Sequence, residues 1–168
     1  QFNRLQNTNL FLLADPTSGV TRTVLTETDA AWVENDNDFR WLKDGKSFVW
    51  ISERDGWRHA YLVSRSGEKV SQITKGKLDL MALEAIDEKG GWLYFLASPK
   101  NPTQQYLHRA PLKGGKSGRV TPDGQVHRKL TELAYRNLLH PFQPFVFGQR
   151  HYPMHMAERF GVPLIFYG

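Results

Sequence analysis

Three short segments share one layout: GVTRTVLTETD (19–29), GEKVSQITKGK (67–77) and GKSGRVTPDG (115–124). Each has a Gly turn, a short strand and then an aliphatic–Thr pair. The pairs Leu25-Thr26, Ile73-Thr74 and Val120-Thr121 recur 48 and then 47 residues apart. A fixed period of this length constrains the fold more tightly than composition does. Each unit is one supersecondary element that buries its apolar surface only against its neighbours.

The segments between the pairs repeat as well. Ser47–Ser52 (SFVWIS) corresponds to Trp92–Ala97 (WLYFLA), and His59–Ser64 (HAYLVS) to Tyr106–Ala110 (YLHRA). A turn precedes each aromatic-rich strand: Lys43-Asp44-Gly45-Lys46 in one copy and Asp87-Glu88-Lys89-Gly90-Gly91 in the other. Asp-Gly and Gly-Gly supply the positive φ that tight hairpins need. Each unit therefore holds about four short β-branched and aromatic strands, the grammar of a β-propeller blade. The expected fold is mainly β, a partial β-propeller of about two and a half four-stranded blades followed by a short α/β segment. The last two strands of one blade are expected at about 10–26, a whole blade at about 39–74 and most of another at about 81–121. Trp32, Trp41, Trp50, Trp57 and Trp92 all fall in this region and are expected to fill the cores between blades. Two and a half blades do not close a ring, so exposed edges and poor stability in isolation are expected.

After Gln125 the period changes. Leu130, Leu133, Ala134 and Leu138 recur at helical spacing, predicting a helix across about Arg128–Leu139 that ends at His140-Pro141. Pro141–Gly148 is expected to be extended. A second short helix is expected from about Pro153 to Phe160 with Gly161 as its cap, and a buried strand over Val162–Tyr167. Helix, strand, helix, strand is α/β grammar, which blades lack. Two parts are thus expected, a partial propeller over 1–124 and an α/β piece over 125–168 that is foreign to it. Both ends read as cuts through a longer protein.

The net charge of +5 has no Lys/Arg run behind it, so no nucleic-acid partner is expected. No apolar run approaches the roughly 18 residues of a membrane span. With no cysteine, disulfides, thiol nucleophiles and Cys-based zinc sites are excluded. No Gly-x-Ser-x-Gly nucleophile elbow is present. Gly115-Lys116-Ser117 does not complete a phosphate loop, because Ala110 stands where that motif needs Gly and a β segment follows. Glu53-Arg54-Asp55 reads as a charged hairpin tip. His151 and His155 are four apart, but Pro153 lies between them, and no metal is expected. Gln143, Gln149 and Arg150 are the candidates for a polar substrate-binding site at a strand end, where open α/β sheets place ligands. No catalytic residue and no cofactor are assigned.

Residues 40–80, RWLKDGKSFVWISERDGWRHAYLVSRSGEKVSQITKGKLDL, closely resemble the propeller of dipeptidyl peptidase IV-type enzymes of the prolyl oligopeptidase superfamily. The core of the likeness is Ser52–His59, and its flanks extend it to roughly residues 5–124. The resemblance implies an exopeptidase that releases N-terminal dipeptides with Pro or Ala second. It would use a Ser-Asp-His triad on an α/β-hydrolase domain, with a Glu pair in the propeller holding the substrate's α-amino group. No two glutamates are adjacent here, so neither the pair nor any triad member is carried over. The implied partners are the missing hydrolase domain, the remaining blades and a peptide substrate.

The tail has a second likeness. His140–Phe145, Gly148-Gln149 and Gly161–Gly168 look like parts of the N-acetyl sugar amidotransferases of surface-polysaccharide biosynthesis, again without their phosphate loop or cysteines. The first family implies a periplasmic or secreted protein and the second a cytoplasmic one. A chimera with its seam within about two residues of Gln125 accounts for both. A small propeller-like binding module is the remaining alternative.

Overall fold

A computed structural model describes residues 1–34, 38–100, 103–120, 124–138 and 143–163. The chain divides into two compact units, Gln1–Thr121 and Pro122–Gly168.

Among the described residues the first unit holds ten strands in three antiparallel sheets. β1 (Thr8–Ala14) and β2 (Thr21–Thr28) form a two-stranded sheet. β3 (Arg40–Trp41), β4 (Ser47–Ser52), β5 (His59–Ser64) and β6 (Val70–Gln72) form a four-stranded sheet in sequential order. β7 (Leu80–Asp87), β8 (Trp92–Ala97), β9 (Tyr106–Pro111) and β10 (Gly118–Arg119) repeat that pattern. This is the partial propeller expected from the repeat: the end of one blade and then two blades, the second with all four strands.

Alternation along the strands explains how the sheets pack. In β4 the even residues Phe48 and Trp50 join Val24 and Leu25 of β2 in one core, while Val49 and Ile51 face the other way into a second. The second core runs from β4 to β9 and includes Ile73, Leu80, Leu83, Leu93, Phe95, Ala97 and Ala110. β4 is therefore buried on both faces. In β8, by contrast, Leu93, Phe95 and Ala97 are buried while Trp92, Tyr94 and Leu96 stay half-exposed. The outer face of the third sheet is thus the open side of the stack.

Bulges bend this simple alternation. The register slips in β1–β2 beyond Phe11, so Val24 and Leu25, although consecutive, are both buried in the first core. Two more slips in β7 place Leu80, Leu83 and Ile86 toward the second core at intervals of three.

Arginines tie each sheet to the next. Arg22 of β2 donates to the carbonyls of Arg65 (2.7 Å) and Ser66 (3.3 Å) in the β5–β6 turn. Arg40 of β3 donates to the carbonyls of Leu83 (2.9 Å) and Glu84 (3.2 Å) in β7. Arg58 donates to those of Leu80 and, at 3.0 Å, Met81. Gly67, at φ +85°, lies so near β2 that a Cβ there would sit 2.0 Å from the Val24 carbonyl oxygen. Gly114 repeats the arrangement against the Gln72 carbonyl, with a Cβ at 2.8 Å.

The second unit contains α1 (Gly124–Leu138) and α2 (Gln143–Phe160). α1 starts earlier than the apolar stripe alone indicates. The expected extended stretch 141–148 is corrected, because Gln143–Gly148 is the first part of α2. Pro144 is harmless in a first turn, where no helical N–H bond is lost. The helix then runs through Pro153 instead of starting there. Gly161, at φ +64°, follows its end as expected, and the Val162 N–H returns to the Ala157 carbonyl at 2.8 Å. Residues 164–168 of the expected final strand lie outside the described residues, and Val162 and Pro163 are in no regular element.

Candidate functional site

The most elaborate polar cluster lies between the first two sheets and centres on Glu27, which is 8% exposed. Its carboxylate accepts the indole N–H of Trp50 at 2.8 Å, the hydroxyl of Ser52 at 2.9 Å and a guanidinium N–H of Arg54. Alternation on β2 turns Glu27 inward, and β4 supplies Trp50 and Ser52 from alternate positions on one face. Arg54 comes from the β4–β5 turn and folds back. Its Nε reaches the Ser52 Oγ at 3.1 Å, and its guanidinium lies 5.0 Å over the Tyr61 ring. The charged tip expected at Glu53-Arg54-Asp55 is therefore built into the structure. Asp55 turns to accept from the Gln72 amide.

A cavity of about 50 Å³ opens beside this cluster, lined by Glu27, Asp29, Trp32, Glu34, Glu53 and Arg58 among others. It has room for a few waters, not for a peptide. The backbone N–H groups of Ala31 and then Trp32 donate to Asp29 at 2.7 and 3.1 Å and hold its carboxyl below the usual range. The Trp32 indole donates to Glu34 at 3.2 Å, and this tryptophan is 55% exposed. The expectation that all five tryptophans fill inter-blade cores is thus corrected at Trp92, half-exposed on the outer face of the third sheet, and at the exposed Trp32 and Trp57. The last two sit on connections outside the strands, where alternation does not turn them inward. Ser52 serves as a strut, since its hydroxyl donates to Glu27 and accepts from Arg54.

A second constellation has the residue types of a catalytic triad. The Thr74 hydroxyl lies 3.0 Å from His59 Nδ1, and Asp55 lies 3.7 Å from His59 Nε2. Burial and hydrogen bonding decide its role. Thr74 is fully buried and its oxygen already accepts the Ala60 N–H at 2.9 Å. His59 Nε2 faces the Gly76 carbonyl at 3.1 Å, so that nitrogen carries the proton and Nδ1 accepts from Thr74. The group clamps β5 to the strand end at Thr74 and has no approach for a substrate.

The candidates in the tail fall on a helix. Gln149 and Arg150 are consecutive, exposed residues of α2, about 100° apart around its axis. Gln143 begins the same helix. No described strand end brings the three together. His151 and His155 lie one turn apart on α2, with no third metal-ligating side chain grouped with them among the described residues.

Residues 1–140 match the family described as the dipeptidyl peptidase IV N-terminal region. A probable dipeptidyl peptidase 4 of Aspergillus clavatus is 26% identical over 119 residues, covering 67% of this chain and 15% of the fungal protein. The corresponding protein of Aspergillus flavus is 26% identical over 115 residues, again 15% of its length. The crystal structure of Porphyromonas gingivalis dipeptidyl peptidase 4 superposes with a TM-score of 0.65 at 25% identity, over 73% of this chain and 17% of that one. A putative dipeptidyl aminopeptidase IV from Bacteroides ovatus shares the fold, with a TM-score of 0.62 at 22% identity over 69% of this chain and 19% of its own. The chain therefore spans a small part of its relatives, between 8% and 15% of the curated proteins cited here and in the Emericella nidulans relative. These matches lend nothing to the amidotransferase likeness of the tail, and the family match runs on through α1 to residue 140. The sheet-by-sheet architecture and the match over most of its length agree: the chain belongs to the dipeptidyl peptidase IV N-terminal region family.

Proposed function

We propose that this chain is a non-catalytic propeller segment of a serine exopeptidase that releases N-terminal dipeptides. Further blades, a hydrolase domain carrying the Ser-Asp-His triad and the peptide substrate complete the active protein. The observation that carries this reading is the family match over residues 1–140, on a stack of sheets whose last outer face, Trp92, Tyr94 and Leu96, is left half-open. A sheet that buries one face and bares the aromatic residues of the other suits a unit with a further neighbour.

Cleavage of a Gly-Pro chromogenic amide tests the proposal. The purified chain is expected to show no turnover, and the chain extended through the downstream reading frame to a Gly-x-Ser-x-Gly segment is expected to show it. Turnover by the chain alone would overturn the non-catalytic role, and an inactive, folded extension would overturn the peptidase reading. The same proposal treats 1–124 and 125–168 as separate parts. Limited proteolysis is expected to cut near Gln125 and leave the sheets intact, whereas uniform resistance across 120–130 would argue for one continuous domain.

A further inference from the structure

Two histidines are buried in the sheets, and their surroundings are opposite in character. His59 has a partner on each ring nitrogen and the Asp55 carboxylate 3.7 Å away. His108 on β9 is 7% exposed, and neither ring nitrogen has a hydrogen-bond partner among the described residues. Its ring packs against Phe95 at 5.7 Å. The residue paired with it across β9–β10 is Arg119, whose guanidinium lies 3.6 Å over the ring of Tyr106 on the same face of β9.

The groups around His108 offer a proton no compensation. β8 contributes Phe95, β9 contributes Ala110 and Tyr106, and β10 contributes the cation Arg119. The second sheet presents the apolar Ala60, Ile73 and Leu78 to this core. Of the acids in the connections of that sheet, Asp55 is engaged with Gln72 and Asp79 with the Arg58 backbone N–H. β10 is only two residues long, and one further bond, Val120 N–H to the Leu107 carbonyl at 2.7 Å, extends its attachment to β9.

We propose that His108 is an acid-sensitive latch: protonation of its buried imidazole beside Arg119 releases β10 and loosens the outer edge of the third sheet. Burial, and after it the Arg119 charge, hold the imidazole pKa below its ordinary value, consistent with this geometry. The neutral form is the one the folded sheet favours. Stability is therefore retained above the unfolded-state pKa of about 6.5 and lost as pH falls below it, until the folded-state group itself ionises.

Amide exchange across β9–β10, corrected for its intrinsic pH dependence, tests the latch on the full chain. The opening equilibrium at Val120 is expected to rise by up to about tenfold for each pH unit below about 6.5. β4–β5 should show no such rise. His108→Tyr, which places the aromatic found at the equivalent position of the second sheet, is expected to abolish the effect. An imidazole titration by NMR on the unaltered chain keeps the test independent of that variant. A His108 pKa at or above about 6.5, or equal acceleration in His108→Tyr, would overturn the proposal.

Discussion

The two seams between successive sheets use the same backbone plan and opposite side-chain chemistry. Trp50 pairs with Tyr61 in the second sheet as Phe95 pairs with His108 in the third. By the repeat, Ser52 corresponds to Ala97 and Glu27 to Lys75. The first seam therefore carries a buried carboxylate with three donors converging on it, whereas the second carries only apolar side chains at those places and leaves Lys75 in solvent. What the two share is the apolar anchor at each centre, Phe48 in one and Phe95 in the other, both fully buried. The repeat thus keeps shape and leaves polarity free to vary: the first seam matches its buried carboxylate with three donors, while the second holds the unmatched imidazole of His108.

The anchors set the largest expected effects. Phe48→Ala and Phe95→Ala should each cost about 3–5 kcal/mol, from lost transfer energy plus the cavity left behind. Similar drops in the urea midpoint for both would support equal dependence on apolar filling. The seams should part company at the polar position. Glu27→Ala is expected to cost about 3 kcal/mol, because it removes the acceptor of the Trp50 N–H and the Ser52 hydroxyl and the counter-charge of Arg54. Lys75→Ala should change stability by no more than about 0.5 kcal/mol. Replacing the cluster together (Glu27→Leu, Trp50→Phe, Ser52→Ala, Arg54→Leu) should recover most of that loss, and a loss as large as that of Glu27→Ala alone would mean the polar seam has no apolar equivalent.

Close backbone contact ranks next. Gly67→Ala should destabilise by about 2 kcal/mol or more, combining a left-handed φ with overlap on the Val24 carbonyl, and by more than Gly114→Ala, where the approach is less close. Thermal melts of the two variants check the order. A pH-dependent effect belongs to Tyr61, whose hydroxyl is buried close to the Asp55 carboxylate. Burial, reinforced by the nearby Asp55 charge, pushes its pKa up to about 12. The folded state thus favours the neutral phenol, and the stability it contributes is present below pH 10 and lost as pH rises from about 10 to about 12. Tyr61→Phe should remove that alkaline loss and alter neutral stability by about 1 kcal/mol at most, which tyrosinate absorbance and urea melts would show.

Much of the sheet architecture was legible because Leu25-Thr26, Ile73-Thr74 and Val120-Thr121 mark the same strand end three times. β7 was harder to read: Leu80, Leu83 and Ile86 recur every three residues, a helix-like interval, and only its two bulges reconcile that spacing with a strand. Glu27 carried no local sign of its role. In TRTVLTET it reads as one more outward polar residue, and its donors lie 23 to 27 residues away. Trp32 and Trp57 misled for the converse reason, since a tryptophan's preference for burial does not reach connections that lie outside the pleat. In the tail, 141–148 was expected to be extended and Pro153 to open a helix, yet Pro144 stands in the first turn of α2 and Pro153 is accommodated within it.

The arginine ties have a direction. Arg22, Arg40 and Arg58 each donate to carbonyls that lie later in the chain, by 22 to 44 residues. During synthesis the guanidiniums emerge before the oxygens they will meet. A waiting arginine is well hydrated and does not template another strand, whereas a row of waiting carbonyls on a finished sheet would. The stack is thereby suited to vectorial growth, each sheet holding out soluble hands to a neighbour that the ribosome has yet to deliver.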